Sequence, residues 1–227
     1  MTIEVGWTAA FDTLSIARTD TREALQGEAE LRQHPARSTI IAQDDADDSV
    51  SILLSGRARV VLLSADGQEI WLDNLNPGSV IGELAALTGQ RRSSGIIAET
   101  RVVTATYPAE AFFELVRSHG ELGLGLAKLL GRRVHHTTQR MFELSALSAP
   151  GRVYAELLRM GVPADESADW IISPIPSLTA IARRVNSTRE TVSRTVSDLE
   201  NRGLLKRLAD GFELVDPDQL NRLRGTN

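Results

Sequence analysis

Between Leu122 and Leu147 the chain runs without a proline, and Leu126, Leu130, Val134, Met141 and Leu144 recur along it at near-heptad spacing. A run of that length predicts one long helix, and apolar residues spaced that way ask for a second helix against them. Ala127 and Gly131 are small enough for a partner helix to approach closely, so the stripe predicts a helix–helix dimer seam; the competing use of the same residues is packing against the helix's own domain. The run ends at Ser148, Ala149, Pro150 and Gly151, a sequence that reads as a hinge between an N-terminal and a C-terminal domain.

Before the helix the pattern is that of short strands. Residues from Ile3 to Leu31 are weakly helical, with Phe11, Leu14 and Ile16 near one face. Strands then come at Thr39 to Ala42, Val50 to Leu54, Ala58 to Leu63, Glu69 to Leu72 and Val102 to Tyr107, punctuated by Ser55-Gly56, Asp66-Gly67 and Pro77-Gly78. Asp66-Gly67 between two apolar runs is a strong hairpin signal. These features predict an antiparallel barrel or roll with the loop from Gly82 to Gly95 inserted between strands, and Pro108 then opens a helix through AEAFFELV.

That loop, GELAALTGQRRSSG, sets one carboxylate and a pair of arginines among small and apolar residues. A phosphodiester needs a guanidinium and free backbone N–H groups, which Arg92 and a short helix opening near Gly82 to Leu84 supply. Glu83 only accepts, so it repels a phosphate and must instead take a sugar hydroxyl or hold an arginine in place.

Composition removes several classes of chemistry. The 227 residues include no cysteine, which excludes disulfides, cysteine-ligated zinc, iron–sulfur clusters and a thiol nucleophile. His34, His119, His135 and His136 are too dispersed for a metal site, and no serine sits in a nucleophile elbow, so an enzyme is not expected. With no leader-like start and no apolar window near the roughly 20 residues of a membrane span, a cytoplasmic protein without membrane contact is expected. The net charge of −5 hides an uneven distribution: QDDADD at positions 43–48 is acidic, whereas from Ser177 to Arg207 basic residues outnumber acidic ones.

The basic segment, SLTAIARRVNSTRETVSRTVSDLENRGLL, has the pattern of a helix-turn-helix. Leu178, Ile181, Ala182 and Val185 give a first apolar face, Asn186 breaks the helix, and Ser187 or Thr188 caps the next one. Thr188 with Thr191 and Val192, then Val196 and Leu199, form the packing side of the second helix, leaving Arg189, Glu190, Ser193 and Arg194 to project from the half that enters a major groove. Arginine can bond bidentately to guanine and glutamate can accept from cytosine. The next stretch, LLKRLADGFELV, is a small hairpin turned at Asp210-Gly211, which places Lys206 and Arg207 near phosphates.

In the order of barrel, GEL…RS loop, long helix, hinge and STRETVSR helix-turn-helix, the chain resembles the bacterial cyclic AMP receptor protein and fumarate-nitrate regulator (Crp-Fnr) superfamily, on its cyclic-nucleotide branch, over nearly its whole length. The resemblance implies an α+β protein: a cyclic-nucleotide-binding, jelly-roll-like β-roll (residues 1–119), a dimerisation helix (120–147), a hinge (148–151) and a winged helix-turn-helix domain (152–227). It implies that Glu83 takes the ribose hydroxyl and that Arg92 and Ser93 hold the cyclic phosphate, with Gly82, Leu84 and Ala85 in the same cradle. It also places Arg133 near the pocket, and Thr137 and Thr138 against the purine, one from each subunit. Ser94-Gly95 departs from the pattern of alanine and a bulkier residue, so Ser94 widens the pocket and makes cyclic GMP a second candidate beside cyclic AMP (cAMP). Ser187, Thr188, Arg189, Glu190, Ser193, Arg194, Lys206 and Arg207 become the DNA-contacting set, on a pseudo-palindromic GTGA-like operator in double-stranded DNA bound by a homodimer. Ligand would bias the dimer seam and re-aim the recognition helices through the hinge. RNA polymerase is an expected partner, with the loop from Gly161 to Asp169 as a contact, and no prosthetic group is expected, since haem lacks a dedicated axial ligand. The alternative is the same fold answering another effector or active without one.

Overall fold

The computed structural model describes residues 3–64, 69–163 and 170–225, and the chain divides into two compact units, residues 1–134 and 135–227. In the first unit, α1 (Ile3–Leu14) and α2 (Thr19–Gly27) precede β1 (Glu30–His34), β2 (Thr39–Ile41), β3 (Val50–Ser55), β4 (Ala58–Leu63), β5 (Glu69–Leu75) and β6 (Val80–Ile81). A short α3 (Glu83–Thr88) comes next, then β7 (Gly95–Ala98), β8 (Val102–Tyr107), α4 (Ala109–Ser118) and the long α5 (Gly120–Ala146). The strands pair antiparallel into two sheets of order β1-β8-β3-β6 and β2-β7-β4-β5.

The period of two along β3 and β8 assigns their side chains to two environments. Val50, Ile52, Leu54, Ala105 and Tyr107 point outward into a core completed by Trp7, Phe11 and Leu14 of α1, Leu25 of α2, Phe112 of α4 and Leu122 and Leu126 of α5. Leu53 and Val102 point inward to Ile41, Ala58, Ile81, Ile96 and Ala98, which close the roll. Polar side chains share that interior: Ser51 and Thr106 hydroxyls lie 2.9 Å apart, Thr104 and Thr106 3.1 Å, so buried hydroxyls satisfy one another.

Helix α5 departs from a uniform seam. Leu122, Leu126 and Leu129 are buried in the core of their own unit and Leu130 packs partly against it, whereas Val134, Met141, Phe142 and Leu144 are exposed. The close approach falls at Gly125, not Gly131: a Cβ on Gly125 would sit 1.8 Å from the Leu14 carbonyl oxygen, and one on Gly131 would meet nothing within 4 Å.

Several stretches differ from the sequence reading. The expected helical run to Leu31 gives way at Glu30 to β1, which has an exposed, non-alternating pattern and owes its shape to pairing with β8. Strand β5 continues to Leu75, and β6 and β7 add pairs that were not expected. The turn at Asp66-Gly67 lies outside the described residues, although Leu63 and Glu69 on either side are paired.

In the second unit, α6 (Ala149–Met160), β9 (Val162–Pro163), β10 (Trp170–Ile172), α7 (Leu178–Arg184), α8 (Arg189–Asn201), β11 (Leu205–Arg207), β12 (Phe212–Leu214) and α9 (Pro217–Arg224) surround one core. The four strands form an antiparallel sheet of order β11-β12-β10-β9. Here Ala149 to Gly151 form the first turn of α6: Ser148 is its N-cap, accepting from the Gly151 N–H at 3.3 Å, with Pro150 in the first turn where its missing N–H costs nothing.

Candidate ligand pocket and nucleic-acid interface

Gly82 is where the pocket residues meet. Its φ of +83° is open to glycine at no steric cost, and it ends β6 and caps α3. A Cβ there would lie 2.5 Å from both Arg92 Nη1 and the Ser49 carbonyl oxygen, so the backbone approaches as closely as it does because the residue has no side chain. Glu83 next to it is 2% exposed and accepts a charge-assisted hydrogen bond from Arg133, whose other amino group donates to the Val80 carbonyl at 2.6 Å. Of the two uses open to Glu83 on the sequence, this structure shows the holding of an arginine.

Arg92 is 3% exposed, and both of its terminal amino groups are engaged within the chain. Nη1 donates to the Gly82 carbonyl at 2.8 Å; Nη2 donates to Asp47 Oδ2 at 2.5 Å and to the Ser49 carbonyl at 2.7 Å. Asp47 is in turn held by the Ser49 hydroxyl at 2.7 Å. Partial burial works against its charge, but the Ser49 hydroxyl and the Arg92 guanidinium outweigh it and hold the Asp47 carboxyl below the usual carboxylate range. Sequence reasoning treated Asp47 only as part of an acidic run; the one signal available was its position just before β3.

The remaining pocket candidates scatter in exposure. Ala85 is buried, Leu84 and Ser93 are exposed, and Ser94 is half-buried. Thr137 and Thr138 are exposed on the part of α5 that belongs to the second unit. There Thr138 lines a shallow cavity of about 790 Å³, together with Phe142, Arg159, Trp170 and Arg224.

The second unit presents the helix-turn-helix as its capping pattern predicts. Ser177 caps α7 by accepting from Ala180 N–H at 3.2 Å, and Asn186 turns the chain with φ +47°. Thr188 then caps α8, accepting from Thr191 N–H at 3.1 Å. Val192, Thr195, Val196 and Leu199 are buried, which leaves Thr188, Arg189, Glu190 and Arg194 exposed and Ser187 and Ser193 half-buried at the start of α8. Glu190 and Arg194 face each other at 3.7 Å one turn apart. On the β11–β12 hairpin Lys206 meets Glu213 at 2.9 Å, and Arg207 meets Glu200 at 3.0 Å while lying over the Phe212 ring. Of the loop from Gly161 to Asp169, Val162 and Pro163 pair with β10, and residues 164–169 lie outside the described residues.

Beneath this face sits a carboxylate that the sequence did not single out. Glu156 of α6 is 2% exposed and is met by Arg159 of its own helix, by Arg184 of α7 at 3.2 Å and by Arg140 of α5 at 3.8 Å. Arg159 also grips Glu143 through both carboxylate oxygens at 2.7 and 2.8 Å.

Comparison with known proteins agrees with this layout. Residues 31–119 match the cyclic nucleotide-binding domain family and residues 151–223 match the Crp-like helix-turn-helix domain family. The cAMP-activated global transcriptional regulator CRP of Salmonella typhimurium is 27% identical over 191 residues, covering 82% of this chain and 89% of that protein. Among solved structures, a CooA mutant from Carboxydothermus hydrogenoformans is similar with a TM-score of 0.77 at 18% identity, covering 93% of this chain and 99% of that one. The c-di-GMP responsive global regulator CLP of Xanthomonas campestris is similar with a TM-score of 0.71 at 19% identity, covering 87% and 99%. The matched domains take up most of the chain, in this order and on this fold, and the chain belongs to the Crp-Fnr family of transcription regulators, with a cyclic nucleotide-binding domain ahead of a Crp-like helix-turn-helix.

Proposed function

We propose that the protein is a dimeric, sequence-specific DNA-binding regulator whose signal is a cyclic nucleotide, cyclic AMP in the first place and cyclic GMP in the second. The observation that carries this reading is the convergence of Glu83, Arg92 and Arg133 on the turn at Gly82. It sets a buried guanidinium beside a buried carboxylate, the pairing that a cyclic phosphate and a ribose hydroxyl require. The exposed apolar residues Val134, Met141, Phe142 and Leu144 support a second copy against α5, and a two-fold dimer would read a pseudo-palindromic, GTGA-like operator. RNA polymerase is the expected partner in transcription, in the cytoplasm.

A second reading, another effector or none, is favoured by one observation: both Arg92 and Glu83 already have partners of opposite charge within the chain. Calorimetric titration of the purified protein with cyclic AMP and with cyclic GMP separates the two. Heat saturating at one ligand per chain with either supports the first reading, and no heat with both overturns it.

The wing gives a separate test of the DNA interface. Lys206 and Arg207 are exposed at the hairpin, so their contribution is electrostatic and indifferent to sequence. Lys206→Ala is expected to weaken binding to operator and random DNA alike, and to lower the slope of log affinity against log salt by about 1. Fluorescence anisotropy at several salt concentrations measures both.

A further inference from the structure

We propose that Asp47 sets the ligand threshold of this pocket: its carboxylate occupies the place on Arg92 that an anionic ligand oxygen takes, so that only a ligand able to displace it binds. The inference rests on the reading of Arg92 as the anion partner and adds what that partner is doing before ligand arrives.

The Gly82 and Ser49 carbonyls that accept from Arg92 are backbone groups; they fix its position and bring no compensating charge. The charge is met by Asp47, 45 residues away in the chain. Nε of Arg92 is buried and has no hydrogen-bond partner among the described residues. A buried donor left unmade is costly, and it marks a direction from which one further acceptor can approach.

The two sides of the pair differ in freedom. Arg92 is fully enclosed and its backbone is pinned to the acidic loop, with Arg92 N–H donating to the Asp45 carbonyl at 3.0 Å and Asp44 N–H to the Arg92 carbonyl at 2.9 Å. The Asp47 side chain is 53% exposed on a segment without regular structure. The arginine is therefore the fixed seat and the carboxylate the removable part. A neutral ligand gains nothing from evicting a carboxylate, whereas a phosphodiester oxygen replaces the charge and can add a bond to Nε. The chemical class selected is a ligand carrying a compact phosphodiester monoanion.

The test is calorimetric titration of the full chain with cyclic AMP and cyclic GMP, comparing wild type with Asp47→Asn, Asp47→Ala, Asp48→Ala and Arg92→Gln. Asp47→Asn keeps the shape of the side chain and removes its charge, and Asp48→Ala controls for the general loss of one negative charge nearby. Both Asp47 variants are expected to bind about tenfold or more tighter than wild type, since an ion pair to Arg92 no longer has to be broken, while Asp48→Ala stays within about twofold. Equal affinity of wild type and both Asp47 variants, with binding lost in Arg92→Gln, overturns the proposal and leaves the anion site standing. Unchanged binding in Arg92→Gln, or none in any variant, overturns the site and the proposal together.

Discussion

Replacing Glu156 by alanine is expected to destabilise the second unit by about 3–5 kcal/mol, the scale on which removing one partner of a buried ion pair acts. Glu156 is almost fully buried, and three arginines from three helices converge on it. Arg159 would retain Glu143, and Arg184 and Arg140 would each lose their contact with the Glu156 carboxylate. Glu156→Gln keeps an acceptor for one arginine and loses the charge, so its cost should fall between wild type and alanine. Urea unfolding followed by the fluorescence of Trp170, which lies in this unit, measures the order. A Glu156→Ala protein unfolding within about 1 kcal/mol of wild type would show that the arginines find solvent instead, and that the cluster fixes geometry without holding the fold. Because Arg184 closes the first helix of the reader, DNA affinity should fall along with stability.

The burial of Glu156 leaves no local signal in the sequence. The residue sits in the amphipathic helix RVYAELLRM, where a single glutamate is ordinarily a solvated position, and two of its three arginine partners, Arg140 and Arg184, come from other helices, 16 and 28 residues away. The same physics hid Asp47, whose arginine lies 45 residues on, within a run of aspartates that reads as solvated surface. By contrast, Glu83 and Arg92 stood out because charged groups in a small, apolar loop have few structural uses, whereas Arg133, on α5, was suggested only by the family resemblance. In the reader the turn was legible, since caps and breakers are local: Asn186 and Thr188 act on atoms within four residues, whereas the cap at Ser177 is seen only in the structure. Strands β3, β4 and β8 announced themselves through β-branched runs between turn pairs, whereas β6 and β7 are too short to carry a period and exist because β3 and β4 are there to pair with. On α5 the apolar stripe could not say which surface it covers. Leu122, Leu126 and Leu129 belong to their own core, and Gly125, which the stripe passed over, makes the closest approach.

Arg189→Ala is the second large effect, and it is expected in recognition and not in stability. Arg189 is the first residue of α8, exposed, and no carboxylate among the described residues forms an ion pair with it. Arg194, one turn further, is shared with Glu190 across 3.7 Å. An unpaired guanidinium at that position can reach a guanine edge without first giving up a partner, and a bidentate contact of this kind is worth about 1–3 kcal/mol of discrimination. The variant should therefore lose about 5- to 150-fold in affinity for the preferred half-site and accept other bases at one position in each half-site, while binding to random DNA changes little. Selection from a randomised operator library, read alongside anisotropy on the preferred sequence, gives both quantities. The outcome is opposite in kind to that of Lys206→Ala, which should lower affinity everywhere and leave the preference intact. If Arg189→Ala behaved like Lys206→Ala, the N-terminus of α8 would be lying along the phosphates and not in the groove, and Ser193 and Arg194 would be the residues left to read the bases.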